Sequence, residues 1–189
     1  MSQPTVTADK VAQLIARAEI TDVLLAYCQA VDRRDWQQVL ECYHGDALDH
    51  HGPFDGTPQE LVAWLDENHR HVMACMHRLS NVSIDITDDN QFARVESYCI
   101  SYKTITSAAH DPWLNGAEDN GLYRRTVACR YVDTFENRAD IGWRIFDRTV
   151  VLEWMRREDS DQYIPIDPEM PSSRRDRTDL LYAQPVTTR

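Results

Sequence analysis

No stretch of the 189-residue chain approaches the roughly 18 consecutive apolar residues of a membrane-spanning helix, which excludes helical membrane insertion as a function class. The segment from Met1 to Thr5 lacks a basic stretch followed by an apolar one, so the expected location is cytoplasmic. Cysteines number five (Cys28, Cys42, Cys75, Cys99 and Cys129), an odd count without close spacing, which suits neither a disulfide framework nor a cysteine-rich zinc site. They read as small buried hydrophobes. Lysine is scarce: of 20 basic residues only Lys10 and Lys103 are lysines, a bias that points to an arginine-rich proteome rather than to a mechanism. No glycine-rich phosphate cradle, nucleophile elbow or zincin motif is present, and His69, His71 and His77 do not fall at a convincing metal-ligand spacing. The expectation is a protein that works without a metal or an organic cofactor. A formal net charge of −11 disfavours nucleic acid and anionic lipid as partners.

The composition that remains, 42% apolar and 27% charged, is that of one globular domain with a sizeable core. From about Ala8 to Val31, apolar residues recur at three- and four-residue spacings, the pattern of a long amphipathic helix. Asp35 with Gln38 three residues on has the form of a capping box, predicting a short second helix that ends near Gly45. Thr57-Pro58-Gln59-Glu60 starts a third helix reaching Val72, with a capping residue, a proline at the first helical position and a glutamate to close the box. The period then changes. Val82 to Ile86 alternates strictly, and Phe92 to Thr106, Leu122 to Glu136 and Trp143 to Met155 are rich in strand-forming residues, predicting a curved, antiparallel sheet. Residues 107–121 are long enough for a lid or a mobile loop. Beyond Arg156 the chain turns polar and proline-bearing, as a tail over the domain or a neighbouring subunit does.

Two residues stand out chemically. Asp32 continues the Leu25 and Cys28 series to the end of the buried face of the first helix, and a buried carboxylate requires a partner. Capping the next helix is its structural alternative, a task Asp35 fits better. His77 lies where the third helix gives way to the first long strand; it is either a satisfied core histidine or a base held by a carboxylate at a pKa near neutrality. Softer candidates surround them. Of the adjacent His50 and His51 on a strand, at most one faces inward, and His51 is preferred as an acid or phenol-binding group. Tyr27 reads equally as a substrate donor and as a core aromatic. Lys103 shares a strand face with Ser97, Cys99 and Ser101, whereas Tyr98 and Tyr102 share the other, so either Lys103 or Tyr102 lines the interior. Arg130 is a further binding candidate, with pairing to Asp133, Glu136 or Glu153 as its default.

Several stretches in order carry a resemblance: YCQAVDRRDW at 27–36, DALDHHGPFDG at 46–56, MHRLSN at 76–81, RYVDTFE at 130–136, GWRI at 142–145, RTVVLEW at 148–154 and, in the tail, RRDRTDLLY at 174–182. Together they resemble the SnoaL-like branch of the nuclear transport factor 2-like superfamily, over roughly Ala8 to Trp154. The resemblance implies an α+β cone, a curved mixed sheet wrapped around N-terminal helices and enclosing a cavity, over residues 1–156 with a packed tail at 157–189. It also implies that Asp32 and His77 form a cofactor-free acid-base dyad, as in the branch's dehydratases and dehydrochlorinases. The expected function is a lyase acting on a small hydrophobic or aromatic substrate with loss of water, halide or formaldehyde. An isomerase using the same proton abstraction and a non-catalytic binding module stay open beside it, and the family offers both trimers and dimers as the homo-oligomer.

Overall fold

Helix α1 (Ala8–Arg33) starts at Thr7, whose hydroxyl accepts the Lys10 amide, and stops where Arg34 turns left-handed at φ 57°. The structure, a computed structural model, describes residues 7–108, 111–114, 121–159, 164 and 166–183. One stripe of α1 is buried, through Ala16, Ile20, Leu24, Tyr27, Cys28 and Val31, and Asp32 completes it one residue from the end. Leu25 is exposed, as are Val11, Leu14 and Ile15, so the stripe that carries Asp32 inward is set by Leu24 and Cys28.

Helix α2 (Trp36–Glu41) is shorter than expected, because Tyr43 already pairs with Ile145 in the sheet. Asp35 occupies the N-cap position without capping: its carboxylate takes Arg177 at 3.0 Å and the Tyr182 hydroxyl at 3.3 Å instead. Strands β1 (Tyr43–His51) and β2 (Phe54–Gly56) form a hairpin, followed by α3 (Pro58–Asn68) with both halves of its capping box in place. A single 3-10 turn, His69–His71, separates α3 from β3 (Val72–Ile86). The first long strand therefore begins ten residues before Val82. Val72 fits a helical spacing and a strand equally well, and antiparallel pairing with β4 (Phe92–Ile105) from Val72↔Ile105 to Ile86↔Ala93 decides for the strand. Strands β5 (Tyr123–Arg138) and β6 (Gly142–Asp159) complete the sheet, β6 running past the expected start of the tail at Arg156.

The six strands lie in the order β2-β1-β6-β5-β4-β3, all antiparallel except β1 beside β6. The sheet is thus mixed and curved around the helices, with free edges at β2 and β3 rather than closed into a barrel. Among the described residues no helix is long and apolar enough to cross a membrane. Of the expected lid, residues 109–110 and 115–120 lie outside the described residues, whereas Asp111 to Leu114 pack inward or against the rim.

The core is apolar around a charged centre. Arg148 on β6 is fully buried and donates from Nε and Nη2 to the two carboxylate oxygens of Asp133 on β5, at 2.8 and 2.7 Å. Its guanidinium is flanked by the rings of Tyr27 and Tyr131, 4.4 and 4.3 Å from their centroids. Tyr43 stands beside them and donates to Asp49 at 2.6 Å. The C-terminal segment packs back on the helices: Arg33 pairs with Asp179, and α4 (Leu180–Ala183) brings Tyr182 to Asp35.

Candidate active site

The last turn of α1 faces β3, and because β3 is the sheet edge, part of its backbone has no strand partner on that side. The His77 amide is capped from the helix: it donates to Asp32 Oδ2 at 2.9 Å, while His77 Nδ1 stands 2.6 Å from Oδ1 of the same carboxylate. One carboxylate thereby fixes both the main chain and the ring of one histidine. Both side chains are nearly buried. Burial alone pulls the imidazole pKa down, but Cys75 and the Asp32 carboxylate outweigh it and hold His77 up at about 10. Burial likewise pushes Asp32 up, and its bonds to His77 more than reverse that, leaving it below the ordinary carboxylate value. The resting pair is a carboxylate and an imidazolium, not the near-neutral base expected from sequence. Among the described residues no hydrogen bond engages Nε2, which leaves it as the working nitrogen.

Asp32, Cys75 and His77 form the one group of three among the described residues whose metal-binding atoms all lie within 4.8 Å of one another. The 2.6 Å separation of Oδ1 and Nδ1 is that of a shared proton. A tetrahedral zinc holds such atoms about 2 Å from itself and so well over 3 Å apart. The geometry fits a dyad better than a metal centre.

Strand parity places Cys75, Lys103 and Arg125 in one cross-strand row on the inner face, next to the row of His77, Ser101 and Val127. Lys103 is buried, and its Nζ stands 3.0 Å from His69 Nε2. Arg175 enters from the C-terminal segment. It donates to the carbonyl oxygens of Asp32, Val31 and Val72, at 3.1, 3.2 and 2.8 Å, and meets His69 Nδ1 at 2.9 Å. Arg125 is bound to Asp111, which also accepts the Tyr123 hydroxyl at 2.6 Å. A cavity lined by Trp64, His69, Lys103, Asp111, Trp113 and Arg125 has a volume of about 10 Å³, room for a single water. A larger recess of about 340 Å³ lies between α1 and β6 around Glu19, Asp22 and Glu41, away from the dyad.

The remaining sequence candidates divide. His51 faces inward beside Trp64 and Trp113, with Nδ1 3.2 Å from Asp49 Oδ1, while His50 faces solvent near Asp55. Tyr27 belongs to the Arg148 cluster, its structural alternative. Tyr102 is corrected to the outer face, since the lysine parity of β4 is the buried one. Arg130 is also on the outer face, paired with Glu96 at 2.5 Å and Glu153 at 2.7 Å, because β5 turns Cys129 and Tyr131 inward. Sequence reading missed Asp49, His69, Asp111, Arg125 and Arg175. Two of them carried a signal: Asp49 precedes His51 by two on a strand and must share its face, and Arg125 has the inward parity of Tyr123 and Val127.

The family comparison agrees with this architecture. The SnoaL-like domain matches residues 12–149, and the chain belongs to that family. Its fold is shared with hexachlorocyclohexane dehydrochlorinase LinA-type3 from Novosphingobium barchaimii (TM-score 0.68, 14% identity, 82% of this chain and 99% of that one). It is shared too with a candidate scytalone dehydratase from Novosphingobium aromaticivorans (0.60, 16%, 85% and 94%). A third similar structure is an NTF2-like superfamily protein from Salmonella enterica (0.61, 13%, 74% and 92%). No curated protein matches the chain by sequence.

Proposed function

We propose that the protein is a cofactor-independent lyase for a small, hydrophobic, aromatic substrate, with Asp32 and His77 as its acid-base pair. The observation that carries this is the double hold of Asp32 on His77, through Nδ1 at 2.6 Å and the backbone amide at 2.9 Å. A histidine so held presents Nε2 in one orientation, and the carboxylate stabilises the imidazolium that proton abstraction creates. Two structural neighbours named as a dehydrochlorinase and a candidate scytalone dehydratase support the reaction class. His77 takes a proton beside an activating ring or carbonyl, and water, halide or formaldehyde leaves. His51, with Nδ1 3.2 Å from Asp49 Oδ1, is the donor proposed for the leaving side.

The test is incubation without cofactor with aromatic diols, phenolic diaryl propanes and halogenated alicyclics, following mass loss of water, formaldehyde or hydrogen halide. His77→Ala should lose about 10²–10⁴ of turnover, and Asp32→Asn should keep the fold but turn over slowly. Because the imidazole titrates at about 10, a base role makes kcat/KM rise with pH toward that value. A profile that falls instead assigns His77 as the acid. A ligand that binds, stays unchanged and binds His77→Ala equally well replaces the lyase with a binding module.

A further inference from the structure

Beside the dyad lies a group it does not use. We infer that the contact of Lys103 with His69 is the one made by the neutral amine, and that the small cavity it lines takes formaldehyde, the smallest carbonyl compound, which this amine form captures as an imine.

The argument is a count of protons around His69. A guanidinium has five N–H groups and no acceptor, so Arg175 Nη2, 2.9 Å from His69 Nδ1, can only donate there. Nδ1 must then present its lone pair. A neutral imidazole carries one N–H, which this fixes on Nε2, and Nε2 faces Lys103 Nζ at 3.0 Å. An N–H aimed at Nζ needs a lone pair to accept it; an ammonium has none and an amine has one. Protonating His69 on both nitrogens removes the acceptor Arg175 requires, and burial together with Lys103 and Arg175 already holds its pKa well down.

The surroundings act in the same direction. Arg125 faces Lys103 from β5 and Arg175 from the C-terminal segment, His69 from the turn before β3, Cys75 and His77 from β3, Asp32 from α1 and Asp111 from the segment after β4. Asp111 is engaged by Arg125 and Tyr123, and Asp32 by His77, so neither carboxylate is left to hold an ammonium. Burial, Arg125 and Arg175 outweigh Cys75 and Asp32 and bring Lys103 down to about 8. A buried amine in this state is a nucleophile. Its nitrogen attacks the carbonyl carbon, the C=O π pair moves to oxygen, and a nitrogen proton transfers to that oxygen to give the carbinolamine. With one proton taken from solvent, the hydroxyl leaves as water and a protonated imine stays on Nζ. This step does not rest on the dyad chemistry.

The chain has only two lysines, which makes the test direct. In protein labelled with [ε-13C]lysine, the Lys103 resonance should titrate near 8, well below the value of about 10.4 of a free lysine side chain. A Lys103 midpoint at that free value overturns the inference. Arg175→Met frees His69 Nδ1 to take the proton and removes a charge, so the Lys103 midpoint should rise toward the free lysine value; an unchanged midpoint overturns the tautomer argument. Formaldehyde, the smallest carbonyl compound, is the probe. With cyanoborohydride at pH 7, Lys103 should be methylated ahead of Lys10, the free-amine fraction of a group titrating near 8 being about two hundred times that of a free lysine side chain. Methylation of Lys10 first overturns the carbonyl site. His77→Ala should label as the parent does whatever its turnover, which separates this result from failure of the lyase reading.

Discussion

Two buried charged groups among the described residues are built on opposite rules. Around Arg148, charge is paired with charge: one guanidinium lies between two tyrosine rings and spans both oxygens of Asp133 through Nε and Nη2, leaving only Nη1 without a hydrogen bond, with Asp49 held by Tyr43 close by. Around Lys103 it is not. Arg125, Arg175, His69 and Lys103 crowd against two carboxylates already committed elsewhere, beside a histidine whose Nε2 has no described partner. A matched buried pair stiffens a core, whereas a surplus of donors shifts protonation states and leaves groups able to react. The same sheet face supports both. β6 and β5 supply the matched centre, and β3, β4 and the C-terminal segment supply the unmatched one.

The largest expected effect breaks the matched group. Arg148→Ala leaves Asp133 buried and unpaired where burial already pushes its carboxyl up, and should lower unfolding free energy by about 3–5 kcal/mol in urea titrations. A loss as small as that of a surface substitution sinks the reading of Arg148 as a core element. A second experiment titrates the unmatched side. His77 has a folded pKa of about 10, above the ordinary value of about 6.5, so its stabilisation is complete below 6.5 and is lost as pH rises from there through 10. Asp32 is lowered, so its contribution is present above its unfolded value and is lost as pH falls through its depressed folded one. Unfolding free energy should therefore decline over the alkaline window in the parent and decline less in His77→Gln. Equal alkaline slopes contradict the ion pair.

The third expectation concerns the rim of the unmatched group. Gly52 turns β1 into β2 at φ +67°, and a Cβ placed there comes within 2.5 Å of the Trp113 indole. Gly52→Ala should cost about 1–3 kcal/mol and displace Trp113 from the cavity, opening Lys103 to labelling. A parental melting curve with unchanged labelling contradicts that packing.

How far sequence reaches differs between the two groups as well. The dyad was legible because helical spacing carries Asp32 inward and the family resemblance pairs it with His77. His77 was misplaced at a junction because Val72 satisfies both periods, and only pairing with β4 decides between them. The inner parity of β4 was undecidable from its own residues: Tyr98 and Tyr102 make as plausible an interior as Ser101 and Lys103. Long-range partners left no local trace. Arg175 reaches Asp32 across 143 positions, and Asp35 has the spacing of a capping box yet spends its carboxylate on Arg177 and Tyr182. Local pattern located the elements, and contacts distant in sequence decided what their ends bind.

The smallest expected effect completes the contrast, because it compares two arginines on neighbouring strands of one sheet. Arg130 makes shorter contacts than Arg148, to Glu96 at 2.5 Å and Glu153 at 2.7 Å, and its guanidinium is held charged by both carboxylates. Contact length is a poor guide to stability here. Arg130 faces water, where each partner is solvated in the unfolded chain and remains so if the arginine is removed, and holding three long side chains in register offsets the attraction. Arg148 has no such recourse, since Asp133 has no water to turn to. Arg130→Ala should leave the unfolding midpoint indistinguishable from the parent at physiological salt and leave Lys103 titrating where it did. A destabilisation approaching that of Arg148→Ala would mean that the outer face of β4, β5 and β6 is not solvated in the working protein.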